Sequence, residues 1–129
     1  MQSLFKKEIL IVDDEPSMVE IIRENLKEGG DYKIFVAYDA MQAIQLARRI
    51  IPDLILLDIN MPAGGGENVY HRLKQMIPTK NIPIIIITGE DPDRITKLSV
   101  EKGIAKENIF LKPVEFDSLL KKIAAIFSE

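Results

Sequence analysis

The chain has 129 residues and a formal net charge of −3, with 47% hydrophobic and 29% charged residues. This length suits one domain with its own core, and the charge does not indicate general affinity for nucleic acid or for an anionic membrane. The absence of cysteine excludes disulfides and thiolate metal sites. No apolar run approaches the length of a membrane span, and residues 1–15 lack a signal-peptide cleavage site, so we expect a soluble cytoplasmic protein.

Five short apolar segments predict β-strands along the chain. They lie at residues 9–12, 32–37, 54–57, 84–87 and 109–111. All except 32–37 are continuous runs that do not alternate with polar residues. Such runs are typical of strands that are covered on both faces, as the strands of a parallel sheet are.

Amphipathic segments between these runs predict helices. They lie at residues 16–28, 39–50, 67–77, 91–102 and 114–127. Pro16 suits a first helical turn, Asp39 and Asp91 suit helix caps, and Gly103 suits a helix end, while Ile77 extends the apolar stripe of the third helix. Strict alternation of strand and helix predicts an α/β fold, a five-stranded parallel sheet with helices on both faces.

A polar residue directly follows four of the five predicted strands. Asp13 and Asp14 follow the first strand, and Asp58, Thr88 and Lys112 follow the third, fourth and fifth. Because the carboxyl ends of parallel strands lie at one edge of a sheet, we expect these side chains to meet there. This convergence is far more specific than any one of the residues alone.

The three aspartates predict a metal site. Carboxylates close together repel one another and raise each other's pKa unless a cation lies among them. Oxygen ligands with room for water suit Mg²⁺ better than a softer metal. The single histidine, His71, lies in the middle of a predicted helix and offers no second nitrogen ligand for zinc.

The same edge has the groups that phosphoryl transfer requires. A carboxylate can act as the nucleophile, and the transferred group then needs cations or donors near its three equatorial oxygens. Mg²⁺, the Lys112 ammonium and the Thr88 hydroxyl would supply one interaction each. Asp58 would be held at the end of a rigid strand. The loop after it must turn away to leave space for the metal ion and the phosphoryl group.

Four motifs resemble the receiver domain of two-component response regulators, the CheY-like family. They are VDDEP at 12–16, DINMP at 58–62, the Thr-Gly pair after IIII and the Lys-Pro pair after IFL. The resemblance extends from about residue 8 to about residue 127. It implies a single receiver domain over 1–129 with a flavodoxin-like sheet in the strand order 2-1-3-4-5.

The resemblance also implies a set of metal ligands. Asp14 and Asp58 would bind Mg²⁺ directly, together with the backbone carbonyl of Asn60, and Asp13 would act mostly through water. In this family the side chains two residues beyond the phosphoacceptor and the switch hydroxyl tune the lifetime of the phosphoryl group. Here those residues are Asn60 and Glu90.

The remaining site residues follow from the same resemblance. Asp58 would be the phosphoacceptor, Thr88 the switch hydroxyl and Lys112 the cation that binds the phosphoryl group, with a cis bond between Lys112 and Pro113. Gly66 stands where the family usually has a glycine that opens the third helix.

The implied function is a phospho-accepting signalling switch. A sensor histidine kinase or a phosphotransfer protein would supply the phosphoryl group, and phosphorylation would change the surface offered to an unknown downstream effector or output domain. The resemblance also allows a dimer that forms on phosphorylation, with a second copy of the chain as the partner. No direct nucleic-acid or membrane partner is expected. The domain would not be an enzyme beyond catalysing its own phosphorylation and dephosphorylation.

Three other functions remain as alternatives. A phosphatase of the haloacid-dehalogenase type would need an aspartate two residues after the nucleophile, where this chain has Asn60. A flavodoxin-like cofactor binder would need hydroxyls after the first strand, where this chain has acidic residues. A phosphorylation-independent interaction module would not need a complete site. Whether the chain is a stand-alone receiver or part of a longer protein stays open.

One position departs from the family pattern. The residue three before the lysine is commonly aromatic, and here it is Ile109. Phe110 follows, but adjacent strand residues point to opposite faces of the sheet. We therefore expect a phosphorylation-driven change to run through Thr88 and the segment 89–95.

Overall fold

The computed structural model describes residues 5–89 and 91–128. Over these residues five parallel strands form one sheet in the order β2-β1-β3-β4-β5, which confirms the predicted topology. The strands are β1 (Lys7–Val12), β2 (Tyr32–Ala37), β3 (Leu54–Asp58), β4 (Ile84–Thr88) and β5 (Ile109–Leu111). None of the helices in the described part of the chain is long and apolar enough to cross a membrane.

Five α-helices connect and follow the strands of the described chain. They are α1 (Pro16–Gly29), α2 (Ala40–Ile50), α3 (Gly65–Gln75), α4 (Pro92–Lys102) and α5 (Phe116–Phe127). Three of the predicted end signals are confirmed, one in α2 and two in α4. Asp39 accepts a hydrogen bond from the Gln42 N–H at 2.8 Å, Asp91 accepts one from the Asp93 N–H at 3.0 Å, and Gly103 ends α4 in the left-handed conformation.

The core has two layers because consecutive strand residues point to opposite faces of the sheet. Leu10, Ile55 and Ile86 belong to the layer that α2, α3 and α4 cover. Ile9, Leu54 and Ile85 belong to the layer that α1 and α5 cover. Burial on both faces explains why the central strands are continuously apolar in the sequence.

Helix α3 begins and ends two residues earlier than predicted. A Cβ atom at Gly66 would lie 2.5 Å from the backbone oxygens of Asp58 and Ile59, so glycine allows the helix to start directly against this loop. The helix ends at Gln75, and Ile77 lies outside it with 82% of its surface exposed. Its predicted place in the apolar stripe was wrong.

Candidate functional site

The carboxyl edge of the sheet brings the predicted side chains together. Asp13 follows β1, whereas Asp58 and Thr88 are the last residues of β3 and β4, and all three are buried. Lys112 follows β5, and its backbone N–H donates a hydrogen bond to the Thr88 carbonyl at 2.8 Å. Asp14 lies beside this group and is exposed. The sheet therefore fixes the backbone positions of Asp13, Asp58, Thr88 and Lys112.

Local turns orient the two buried carboxylates. Oδ1 of Asp13 accepts a hydrogen bond from the Glu15 N–H at 2.9 Å, and Oδ1 of Asp58 accepts one from the Asn60 N–H at 2.9 Å. In both residues this bond fixes Oδ1, and Oδ2 faces the interior of the site. Both Oδ2 atoms lie 3.5 Å from Nζ of Lys112.

Burial and neighbouring charges shift the pKa values of Asp13 and Lys112. Burial and the neighbouring charges of Asp58 and Asp14 raise the pKa of Asp13 from 3.8 to about 6, although the Glu15 hydrogen bond and Lys112 lower it. For Lys112 burial alone lowers the pKa, but the carboxylates of Asp58 and Asp13 outweigh it and the net pKa is raised. The site therefore has more buried negative charge than its lysine neutralises.

Such a cluster is suited to a hard divalent cation. Asp13, Asp14 and Asp58 each offer one carboxylate oxygen within 4.8 Å of the others. Oδ2 of Asp13 is buried and makes no hydrogen bond within the described residues beyond its ion pair with Lys112. Oxygen ligands of this kind fit Mg²⁺. The carbonyl of Asn60 as a further ligand remains a prediction.

A small cavity adjoins Thr88. Its volume is about 200 Å³, and it is lined by Asn60, Thr88, Gly89, Asp91 and Arg94. The hydroxyl of Thr88 is buried and makes no hydrogen bond to any described residue. A buried donor without a partner at the end of β4, the strand that pairs with β3, is available to a group bound at the Asp58 carboxylate.

Arg94, which lines this cavity, and its partner Glu67 had no signal in the sequence. Nη2 of Arg94, in the first turn of α4, lies 2.5 Å from Oε1 of Glu67 in the first turn of α3. In the sequence each of these residues is simply a polar position of its helix. Their ion pair depends on how α3 and α4 lie side by side. Glu90, the other predicted neighbour of the site, lies outside the described residues.

The expected departure at β5 is confirmed. Ile109 is buried in the layer covered by α2, α3 and α4, whereas Phe110 packs in the layer on the other face of the sheet. No aromatic ring from β5 therefore stands behind Thr88. The bond between Lys112 and Pro113 is cis, as the resemblance implies.

The sequence and the fold both match known proteins. A sequence profile described as the response regulator receiver domain matches residues 9–124. A signal receiver domain of a DNA-binding response regulator from Colwellia psychrerythraea 34H is 29% identical, with a TM-score of 0.83 over 96% of this chain and 100% of that one.

Two further solved structures show the same fold. The signal receiver domain of a signal transduction histidine kinase from Syntrophus aciditrophicus is 29% identical, with a TM-score of 0.81 over 95% of this chain and 90% of that one. The chemotaxis response regulator CheY4 of Vibrio cholerae is 24% identical, with a TM-score of 0.79 over 95% of this chain and 99% of that one. At this lower identity the likeness to CheY4 concerns the fold alone.

Proposed function

Because the chain belongs to the response regulator receiver domain family, we propose that it is a phospho-accepting switch in which Asp58 receives the phosphoryl group. Receiver domains are signalling modules rather than conventional enzymes, and they interact with histidine kinases and output domains. The observation that supports the proposal most directly is Asp58 itself. Its carboxylate is buried at the end of β3, beside Asp13 and 3.5 Å from the Lys112 ammonium.

The proposed reaction is a transfer between a phosphohistidine and Asp58. A carboxylate oxygen of Asp58 attacks phosphorus, a phosphorus–oxygen bond forms, and the phosphorus–nitrogen bond to the donor histidine breaks. The histidine nitrogen leaves with the electron pair and then takes up a proton. To end the signal, water attacks phosphorus and forms a new phosphorus–oxygen bond, while the bond between phosphorus and the Asp58 oxygen breaks. Inorganic phosphate leaves, the proton lost by water passes to phosphate or solvent, and the Asp58 carboxylate is restored.

Protein groups hold the transferred oxygens in this proposal. Lys112, already within 3.5 Å of Asp58 Oδ2, turns its ammonium to a phosphoryl oxygen. The hydroxyl of Thr88, which has no partner among the described residues, donates to a second oxygen. Such donors act by position and charge, because the transition state has three negatively charged equatorial oxygens.

Magnesium is the proposed cofactor. Asp14 and Asp58 would hold it directly with the carbonyl of Asn60, and Asp13 would hold it through water. When bound, Mg²⁺ neutralises the carboxylate cluster and the charge that develops on the phosphoryl oxygens. The buried Oδ2 of Asp13, with its raised pKa, supports this assignment because such an oxygen is stabilised by a cation.

The proposal extends to partners and location. The phosphoryl donor would be a sensor histidine kinase or a phosphotransfer protein in the cytoplasm, where such donors expose their phosphohistidine. The receiver, with its core at about 8–127, would then offer a changed surface to a downstream effector, to an output domain or to a second phosphorylated copy.

A small phosphodonor tests the proposal directly. With Mg²⁺ and acetyl phosphate, we expect intact-mass spectrometry to show one added phosphoryl group, and Asp58→Asn to show none. Asp117→Asn is a matched control, because Asp117 is an exposed residue at the start of α5. An unmodified wild-type protein, or a modification that persists in Asp58→Asn, would rule out Asp58 as the acceptor.

A further inference from the structure

Arg94 and Glu67 form an ion pair between two helices beside the site. Arg94 lies in the first turn of α4, and Glu67 lies in the first turn of α3. Their side chains are 29% and 34% exposed, so the pair is partly shielded from water. Partly shielded charges interact more strongly than exposed ones.

The Arg94–Glu67 pair is one of few interactions that attach α4 to the rest of the domain. Within its described span α4 has one buried residue, Leu98, and Ile95 packs only partly against the core. Among the described residues no other ion pair involves α4. A positive charge in a first helical turn is unfavourable for the dipole of its own helix, and the Glu67 carboxylate offsets this cost together with Asp91 and Asp93 at the same helix end.

The guanidinium of Arg94 has capacity for a second partner. It carries five N–H donors, and its Nε is buried without a hydrogen-bond partner among the described residues. Arg94 also lines the cavity that contains Thr88 and Asn60, the neighbours of Asp58. Guanidinium groups bind phosphoryl oxygens in a two-pronged geometry that suits such a site.

We propose that Arg94 binds the phosphoryl group directly when Asp58 is modified, and that it leaves Glu67 to do so. The inference rests on the proposed function. Phosphorylation replaces the −1 charge of the Asp58 carboxylate by about −1.5 to −2 and adds acceptor oxygens, so the site, with Mg²⁺ and Lys112 unchanged, gains negative charge that attracts the guanidinium. The exchange draws the first turn of α4 toward Asp58 and supplies a mechanical link that needs no aromatic residue at Ile109.

Binding of beryllofluoride, a phosphoryl mimic, tests the exchange. Isothermal titration calorimetry in the presence of Mg²⁺ would measure the affinity of the protein for beryllofluoride. We expect Arg94→Gln to weaken binding about three- to tenfold, since the two-pronged contact is lost but the ion pair with Glu67 no longer has to be broken. Glu67→Gln should strengthen binding by a similar factor, because Arg94 no longer has to leave a carboxylate.

The double variant gives the decisive comparison. If Glu67 acts only through Arg94, Arg94→Gln combined with Glu67→Gln should bind as Arg94→Gln alone does. Lys97→Gln and Glu101→Gln are matched controls, since both residues are exposed on α4, and neither should change the affinity. Arg94→Lys, which retains the charge, should recover part of the loss and guards against a variant that fails to fold.

Each outcome decides a different claim. If wild-type protein binds beryllofluoride but Glu67→Gln leaves the affinity unchanged, or the double variant keeps the gain, the exchange is wrong and the phospho-accepting function stands. If wild-type protein does not bind beryllofluoride and is not phosphorylated, the proposed function fails and the exchange fails with it.

Discussion

Asp13 is a buried carboxylate whose ionisation opposes folding. Its pKa is about 6 in the folded protein and 3.8 in the reference state, mainly because the group is buried. A group with a raised folded-state pKa contributes its full stability below the unfolded-state pKa and loses that contribution as the pH rises through the folded-state pKa. Without a divalent cation, the charge on Asp13 therefore destabilises the protein at neutral pH.

We expect Asp13→Asn to stabilise the metal-free protein. At pH 7 with a chelator, its free energy of unfolding should exceed that of wild type by on the order of 1–3 kcal/mol, and the difference should shrink between about pH 6 and pH 4. Urea unfolding at several pH values measures this. Asp117→Asn, on the exposed start of α5, is the control. Equal stability of Asp13→Asn and wild type at pH 7 would contradict the prediction.

Ile51 is a β-branched residue in the left-handed region, with φ of 46° and ψ of 69°, at the end of α2. Its N–H donates to the Ala47 carbonyl, so the conformation serves to close the helix. Branched side chains are strained there, whereas asparagine accepts this conformation readily.

We therefore expect Ile51→Asn to raise the free energy of unfolding by about 0.5–1 kcal/mol. Denaturant titration gives the value. Ile77→Asn is the control, because Ile77 is exposed outside any helix and its replacement should change stability by less than about 0.5 kcal/mol. A loss of stability in Ile51→Asn would show that the side chain's partial burial outweighs its strain.

Helix α3 is the element whose position depends most on glycine. It starts at Gly65 and Gly66, and the second of these lies against the backbone that follows Asp58. The apolar stripe predicted a helix over 67–77, whereas the family resemblance placed a helix-opening glycine at Gly66. The close approach of two backbones is a tertiary contact, and apolar periodicity contains no information about it.

Two neighbouring alanine substitutions should have opposite effects. Gly66→Ala places Cβ 2.5 Å from backbone atoms of Asp58 and Ile59, so we expect a loss of about 2 kcal/mol or more in unfolding free energy and a weaker phosphoryl site. In Gly65→Ala the nearest atoms lie 3.7 Å away, and stability should stay equal or rise slightly. Thermal unfolding compares the two, and an unimpaired Gly66→Ala would refute the packing argument.

At the level of the whole molecule, most of the architecture was predictable from apolar pattern. The continuous runs at 54–57 and 84–87 predicted a sheet buried on both faces, and the polar residues after the strands predicted which side chains meet at its edge. The pairing of Arg94 with Glu67 was not predictable, because it depends on the relative placement of two helices. Local periodicity assigns each helix a buried face but leaves that placement undetermined.

Magnesium should stabilise the entire fold through mass action, since a ligand that binds only the native state raises unfolding free energy with its concentration. At a concentration about 100 times Kd the gain is about 2.7 kcal/mol. Calorimetry with increasing MgCl₂ should show a rising Tm, with NaCl at matched ionic strength as the control. The rise should be much smaller in Asp13→Asn, and an equal rise in both proteins would place the cation elsewhere.

The sparse burial of α4 has a consequence for how such a chain can change. Leu98 is its one buried residue over Pro92–Lys102, whereas Val100 is 77% exposed. Substitutions along the outward side of this helix leave the chemistry at the sheet edge intact and alter folding only slightly. In the proposed exchange α4 is the helix that moves on phosphorylation, and its outward residues can therefore be substituted to suit a new partner without changing the site at the sheet edge.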